Sequence, residues 1–302
     1  MNAVEIRDVT KSFGAQTAVD SLSLSVPERS IYGFIGPNGS GKTTTLRMIM
    51  RIFHPDRGSI EVLGAAGSSA VDDRVAYLPE ERGLYKQMPV AEILEYYAAL
   101  KGMTRADARV EIARWLERMD LAAHAKKRVS ALSKGMSQKV QFIATVVARP
   151  ELVLLDEPFS GLDPVNAVVL RDAILELRKT TTVIFSTHDM SAAEALCDFI
   201  FMIHRGKKVL DGTLSRIKSA YGSDTLRVKV GEGVLLRDIP GVLEVTDLGN
   251  LQELRVAAEA SPQTILRALL ARGDVHHFEV AHPSLHEIFV RIARPEPERS
   301  HA

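Results

Sequence analysis

Two clusters of residues in this chain could do chemistry on a phosphate. Gly36-Pro37-Asn38-Gly39-Ser40-Gly41-Lys42-Thr43, followed by Thr44, is one, and Asp156-Glu157, at the end of the apolar run Leu152 to Leu155, is the other. The three glycines let the backbone curl until successive N–H groups point inward, an anion nest at the positive end of a helix dipole. A triphosphate is the natural guest: Lys42 would reach its β and γ phosphates and the Thr43 hydroxyl would hold Mg²⁺. In such a site the first acid, Asp156, serves Mg²⁺, and the second, Glu157, orients or deprotonates the attacking water. Two acids at a strand end are otherwise simple solvated punctuation, so the lysine loop is what gives them a catalytic reading. Together the clusters predict binding and hydrolysis of ATP.

These residues need elements to position them. Ile31 to Ile35 reads as a strand before the loop and Thr44 to Arg51 as a helix after it, the context the loop motif requires. Leu152 to Leu155 reads as a buried parallel strand, which brings its acids to the C-terminal edge where ligands of open α/β sheets bind. Val4 to Val9, Leu22 to Val26 and Gly58 to Val62 alternate as strands of an antiparallel flank, and Gly64 to Ala70 is a small-residue loop. Two helices are predicted between Met88 and Met119, the second opened by a capping box of Thr104 and Asp107. Their apolar faces are Ile93, Leu94, Tyr97 and Leu100, then Val110, Trp115, Leu116 and Met119. Tyr85, Tyr96 and Tyr97 are candidates for docking a partner, with the core the expected place for Tyr96 or Tyr97. Ser133 and Gly135 begin a helix through Ala144, a second anion-binding end.

With these motifs in order, the chain resembles the nucleotide-binding subunit of an ATP-binding cassette (ABC) transporter over about residues 1 to 220. Leu132-Ser133-Lys134-Gly135-Met136 stands where that family has its signature, Ser160-Gly161-Leu162-Asp163 matches its D-loop, and His188 matches its switch histidine. Phe13 falls where the family places an aromatic ring on the adenine. The resemblance implies an α/β P-loop cassette with a mixed-sheet core, an antiparallel flank and a helical subdomain at about 86–145. It also implies that Ser133 and Gly135 cap the γ-phosphate held by another subunit. ATP would then be sandwiched in a homodimer or between sister cassettes. His188 would sense the γ-phosphate. Asp163 before Pro164 reads equally as a helix cap.

The departures matter as well. Glu80, followed by Glu81 and Arg82, stands where the family carries a glutamine. A carboxylate can ligate Mg²⁺ but adds negative charge beside a triphosphate. At an effective dielectric of about 20, two unit charges ~4 Å apart interact by about 4 kcal/mol. Glu80 is therefore expected at the metal, with Arg82 neutralising the site. Lys134 either adds positive charge near the partner's nucleotide or is a solvated lysine at a helix start.

The 302 residues suggest two domains, and 46% apolar content supplies ample core. Thirty-eight basic and 38 acidic residues cancel, which gives no support to a nucleic-acid partner. Cys197 is the single cysteine, so no disulfide can form within the chain, and its simplest role is a small buried apolar residue. No stretch approaches a membrane span, so membrane contact is expected only through a transmembrane permease, with the chain peripheral on the cytoplasmic side.

Beyond residue 220 the pattern changes. Leu226 to Val230, Val242 to Leu248 and Leu251 to Val256 alternate as strands, with Gly249-Asn250 as a turn. Ser261-Pro262 opens a helix bearing Ile265, Leu266, Leu269 and Leu270 that Gly273 closes. Phe278 and Val280 lie on a final strand, and Ser284 with Glu287 caps a last helix. This α+β unit, 221–293, resembles the C-terminal accessory domain of type-two exporter cassettes, and 294–302 is expected to be disordered. His276, His277, His282 and His286 are a conceivable metal or pH sensor, with solvated or capping roles the simpler reading. An ATPase subunit energising a separate permease for export is the expectation. A non-transport ATP switch and an importer cassette with a C-terminal ligand sensor are the alternatives.

Overall fold

Ile31–Ile35, Leu152–Asp156 and Thr182–Thr187 are buried at every position, as strands covered on both faces must be. The computed structural model describes residues 1–66, 73–81, 83–221, 225–231, 236–257, 259–281 and 283–293. Those three strands form the middle of a six-stranded sheet. Phe199–His204 and then antiparallel Lys207–Thr213 extend one side, and Val75–Leu78 closes the other.

Register decides what meets at the sheet's C-terminal edge. Ile35 pairs with Thr187, Asp156 with Ser186, and Leu78 with Leu155. The residues just beyond these ends, Gly36, Glu157, His188 and Pro79-Glu80, therefore emerge side by side although they are far apart in sequence.

The flank is a second sheet, in which Asn2–Phe13 lies between Gln16–Pro27 and Arg57–Val62, all antiparallel. Its inward residues Val4, Ile6, Leu22 and Leu24 share one core with Phe34, Leu46, Ile49, Leu154 and Phe201. That core clamps the Lys42–Ile49 helix between the sheets. Short Ala65–Ala66 adds to the flank, and the remainder of the expected loop, 67–70, lies outside the described residues.

Thr104 caps the helix Arg105–Arg118, accepting from Asp107 N at 3.2 Å. Two expectations for this region need correction. Val110 is 66% exposed and Leu100 60% exposed, so neither belongs to an inward face. Ala108, Glu111, Ile112, Trp115 and Leu116 form the buried stripe at helical spacing, and Val110 falls outside it. Tyr96 is likewise off the stripe of the Val90–Leu100 helix and exposed, while Tyr97 is half-buried, so neither is a core residue. The signature helix runs Lys134–Val146, with Ser133 as its N-cap.

Contacts divide the chain at Leu214, with a second unit from Ser215. In that unit Thr225–Val230 pairs antiparallel with both Gln252–Val256 and Val275–Ala281, and Val242–Asp247 forms an edge. Leu226, Val228, Leu254, Ile265 and Leu269 make its core with the Pro262–Leu270 helix. Ser284 and Glu287 cap the Leu285–Ala293 helix reciprocally. Residues 294–302 lie outside the described residues. Among the described residues no helix is long and apolar enough to cross a membrane.

Candidate nucleotide site

A cavity of about 330 Å³ opens where the two sheets meet, lined by Phe13, Gln16, Ala18, Asn38 to Thr44, Glu80 and Glu157. Its floor is the glycine loop. Gly41 has φ +112°, and a Cβ there would stand 2.5 Å from Ala18 O, so the turn requires glycine. Gly41→Ala is expected to cost about 1–3 kcal/mol in strain and weaken nucleotide binding, which denaturant unfolding and nucleotide titration would measure.

Lys42 is 5% exposed, and its Nζ donates to Gly36 O at 2.7 Å and Pro37 O at 3.2 Å, 3.8 Å from Glu157 Oε1. Burial pushes its ammonium below the ordinary lysine value, and the carboxylates of Glu157, Asp156 and Glu80 act against that shift. Ser40 Oγ is buried with no hydrogen-bond partner among the described residues. An orphaned hydroxyl beside inward-curling backbone fits a phosphate oxygen.

The acid pair sits as its strand dictates. Asp156 is fully buried and accepts from Thr43 Oγ1 at 3.1 Å, from Tyr77 OH at 3.2 Å and from Ser186 Oγ. Burial, with the Asp156 charge adding to it, pushes the Tyr77 phenol up to about 12, so it stays a donor to that carboxylate. Glu157 has φ +48°, an unusual conformation for a long side chain. Its N–H donates to Ser186 O at 3.2 Å and Ser186 Oγ at 3.1 Å, which holds the strained turn. Its Oε1 lies 3.0 Å from His188 Nδ1. A carboxylate acceptor puts the proton on Nδ1 and leaves Nε2 for a ligand.

Glu80 joins this cavity, just past Pro79, which follows the end of the Leu78–Leu155 pairing. Arg82 lies outside the described residues. A hydroxyl and two carboxylates, Thr43, Asp156 and Glu80, fit a hard divalent cation. No cluster of three His, Cys, Asp or Glu suited to a metal occurs among the described residues, so nucleotide phosphates would supply further ligands, as is usual for Mg²⁺.

Phe13 projects at the tip of the flank hairpin, 46% exposed, edge-on to Phe53 at 5.3 Å. An exposed ring at a cavity mouth can stack on a base.

Ser133, Gly135 and Asp163 stand apart from that cavity's lining. Ser133 Oγ accepts from Met136 N at 3.2 Å, and Asp163 caps its helix by accepting from Asn166 N at 2.9 Å. These last interactions hold Asp163 below the ordinary carboxylate value. A Cβ on Gly135 would come within 2.9 Å of Asn166 Nδ2, on the helix that Asp163 caps. Lys134 lies over Gly161.

Tyr77 and Ser186 carry no mark in the sequence as site residues. Their direction out of the strand ends is set by register. Cys197 is half-buried, its Sγ lies against Gly33, and burial pushes its thiol up. His276, His277 and His286 are exposed, His277 pairing with Glu279 at 3.4 Å. His282 lies outside the described residues.

The family model described as ABC transporter matches residues 19–160, and that described as ATP-binding protein DrrA1-3-like, C-terminal domain, matches 212–293. The chain is 40% identical to the uncharacterized ABC transporter ATP-binding protein YhaQ of Bacillus subtilis, over 94% of this chain and 96% of that one. It is 32% identical to the Nod factor export ATP-binding protein I of Paraburkholderia xenovorans, covering 97% and 98%. A solved ATP binding subunit of an ABC transporter superposes with a TM-score of 0.67 at 29% identity, over 73% of this chain and 93% of that one.

Proposed function

Because the chain belongs to the ATP-binding proteins of ABC transporters, cassettes that hydrolyse ATP to power transport through a separate permease, we propose that it energises export. The observation that carries the catalytic part is the convergence of Lys42 and Glu157 at one cavity, with His188 against the Glu157 carboxylate. Export is supported by the likeness to the Nod factor export ATP-binding protein and by the match of the C-terminal domain to that of DrrA1-3-like ATP-binding proteins. The organisation is a cassette to about residue 220 and an accessory domain over 221–293.

In this reading the loop Gly36 to Thr43 cradles the phosphates, with Phe13 against the adenine. Lys42 neutralises the β and γ phosphates. Glu157, oriented by Lys42 and His188, takes a proton from the attacking water as the water oxygen bonds to the γ-phosphorus and the bond to the β,γ-bridging oxygen breaks, so that ADP and phosphate leave. Mg²⁺, held by Thr43, Asp156 and Glu80, would neutralise charge on the triphosphate. Replacing Glu80 by Gln is expected to raise the Mg²⁺ concentration for half-maximal hydrolysis about tenfold, ~1.4 kcal/mol. An unaltered Mg²⁺ titration would exclude Glu80 from the metal.

The Ser133–Gly135 helix tip lies away from this chain's own cavity lining and has the N–H groups to receive an anion. It serves a second cassette's γ-phosphate, so two protomers enclose ATP between them. The permease docks beside the helical subdomain, at an apolar groove of about 380 Å³ lined by residues including Met50, Tyr77, Leu84, Tyr97 and Leu100. The chain is peripheral at the cytoplasmic face, and its membrane contact runs through the permease. Co-purification with a multi-span membrane protein that stimulates ATP hydrolysis is the expected result. Recovery with no membrane partner, or turnover indifferent to one, would favour a non-transport ATP switch.

A further inference from the structure

The turn Pro79–Glu81 carries Glu80 into the nucleotide cavity, while Pro79 lines the apolar groove. Gln141, from the signature helix, is 6% exposed and also lines the groove. Its Nε2 reaches the carbonyl oxygens on both sides of Glu80, that of Pro79 at 3.5 Å and that of Glu81 at 3.3 Å. Of the two ends of a glutamine amide only the nitrogen can donate to a carbonyl oxygen, which fixes the orientation of the amide. Oε1 is consequently left buried, with no partner among the described residues. A methionine of similar length would fill the position without a stranded oxygen, so the amide has to be explained by the bonds it makes.

Those bonds hold the carbonyl of the residue before Glu80 and that of the residue after it, so they span the turn on either side of this acid. We infer that Gln141 is a positioning residue, holding the Pro79–Glu81 turn so that the Glu80 carboxylate is presented to the metal at the nucleotide. It lines the groove rather than the nucleotide cavity and acts only through Glu80. The inference rests on the proposed metal role of Glu80.

The test uses the full chain as wild type, Gln141→Leu, Glu80→Gln and the double variant. Mn²⁺ affinity is measured by electron paramagnetic resonance with a non-hydrolysable ATP analogue, alongside metal-free nucleotide affinity and thermal stability. Gln141→Leu is expected to weaken Mn²⁺ binding about tenfold, the scale seen when a group orienting a metal ligand is lost. Metal-free nucleotide affinity stays at the wild-type value. In the Glu80→Gln background the same change has no further effect, because both act through one carboxylate.

A Gln141→Leu effect that persists undiminished in Glu80→Gln overturns the inference, as does wild-type Mn²⁺ affinity in Gln141→Leu. If Glu80→Gln itself binds Mn²⁺ as wild type does, the metal role of Glu80 falls and this inference falls with it. Gln141→Met, which keeps the length of the side chain, replaces Gln141→Leu if the latter loses thermal stability.

Discussion

Glu157→Gln is expected to slow ATP hydrolysis by about 10²–10⁴-fold while nucleotide still binds. The amide keeps the size and the contact to His188 but gives up the basic oxygen. Lys42 and the glycine loop are untouched, so the triphosphate is held as before. Because hydrolysis is what would release two cassettes from a shared nucleotide, the variant should accumulate as an ATP-bound dimer. Light scattering after size exclusion with MgATP, beside a phosphate-release assay, checks both halves. Wild-type turnover would remove Glu157 from the chemistry. Slow turnover without a dimer would leave the acid in place and weaken the sandwich.

Lys42→Ala is expected to fail earlier, at binding. Its ammonium donates to the loop carbonyls of Gly36 and Pro37 and lies 3.8 Å from Glu157 Oε1. Removing it leaves a carboxylate that is 8% exposed facing the incoming phosphates without compensation. ATP affinity should drop about 100-fold, ~2.7 kcal/mol, measured by titration calorimetry. Breaking a buried pair from one side leaves the other charge stranded, so Lys42→Ala should also unfold more readily. Adding Glu157→Gln should return part of that stability, because the two changes share one contact. Retained ATP affinity in Lys42→Ala would contradict the placement of the γ-phosphate at this lysine.

The loop Gly36 to Thr43 and the pair Asp156-Glu157 were readable because each is contiguous, and glycine, lysine and acid at those spacings have few other uses. Glu80 was expected at the metal, and its presence in the cavity follows from the pairing of Leu78 with Leu155. Tyr77 and Ser186 were hidden as partners of Asp156, since a phenol or a hydroxyl on a strand carries no mark of what register will set beside it. Gln141 was hidden for a similar reason. A polar residue in a helix interior reads as surface until the turn it grips is known.

Hydrophobic pattern misled where a stripe had two possible continuations. Val110 extends an apolar face by type but not by angle, whereas Leu100 follows Ile93 by seven residues on one face but is the last residue of its helix, and both are exposed. Tyr96 stands next to Tyr97 in sequence, and the 100° step between neighbours carries it out to solvent. Caps, by contrast, were read correctly at Thr104, Asp163 and Ser284. Those motifs are local, and their hydrogen bonds close within four residues.

The account turns on a nucleotide enclosed from two sides, and a structure of Glu157→Gln with MgATP tests that most directly. The expected result is a dimer in which the Ser133 hydroxyl and the Gly135 N–H of one protomer lie about 3 Å from the γ-phosphate oxygens bound at Lys42 of the other. A nucleotide-loaded protein whose Ser133 and Gly135 face solvent, with every phosphate contact drawn from a single chain, would contradict it.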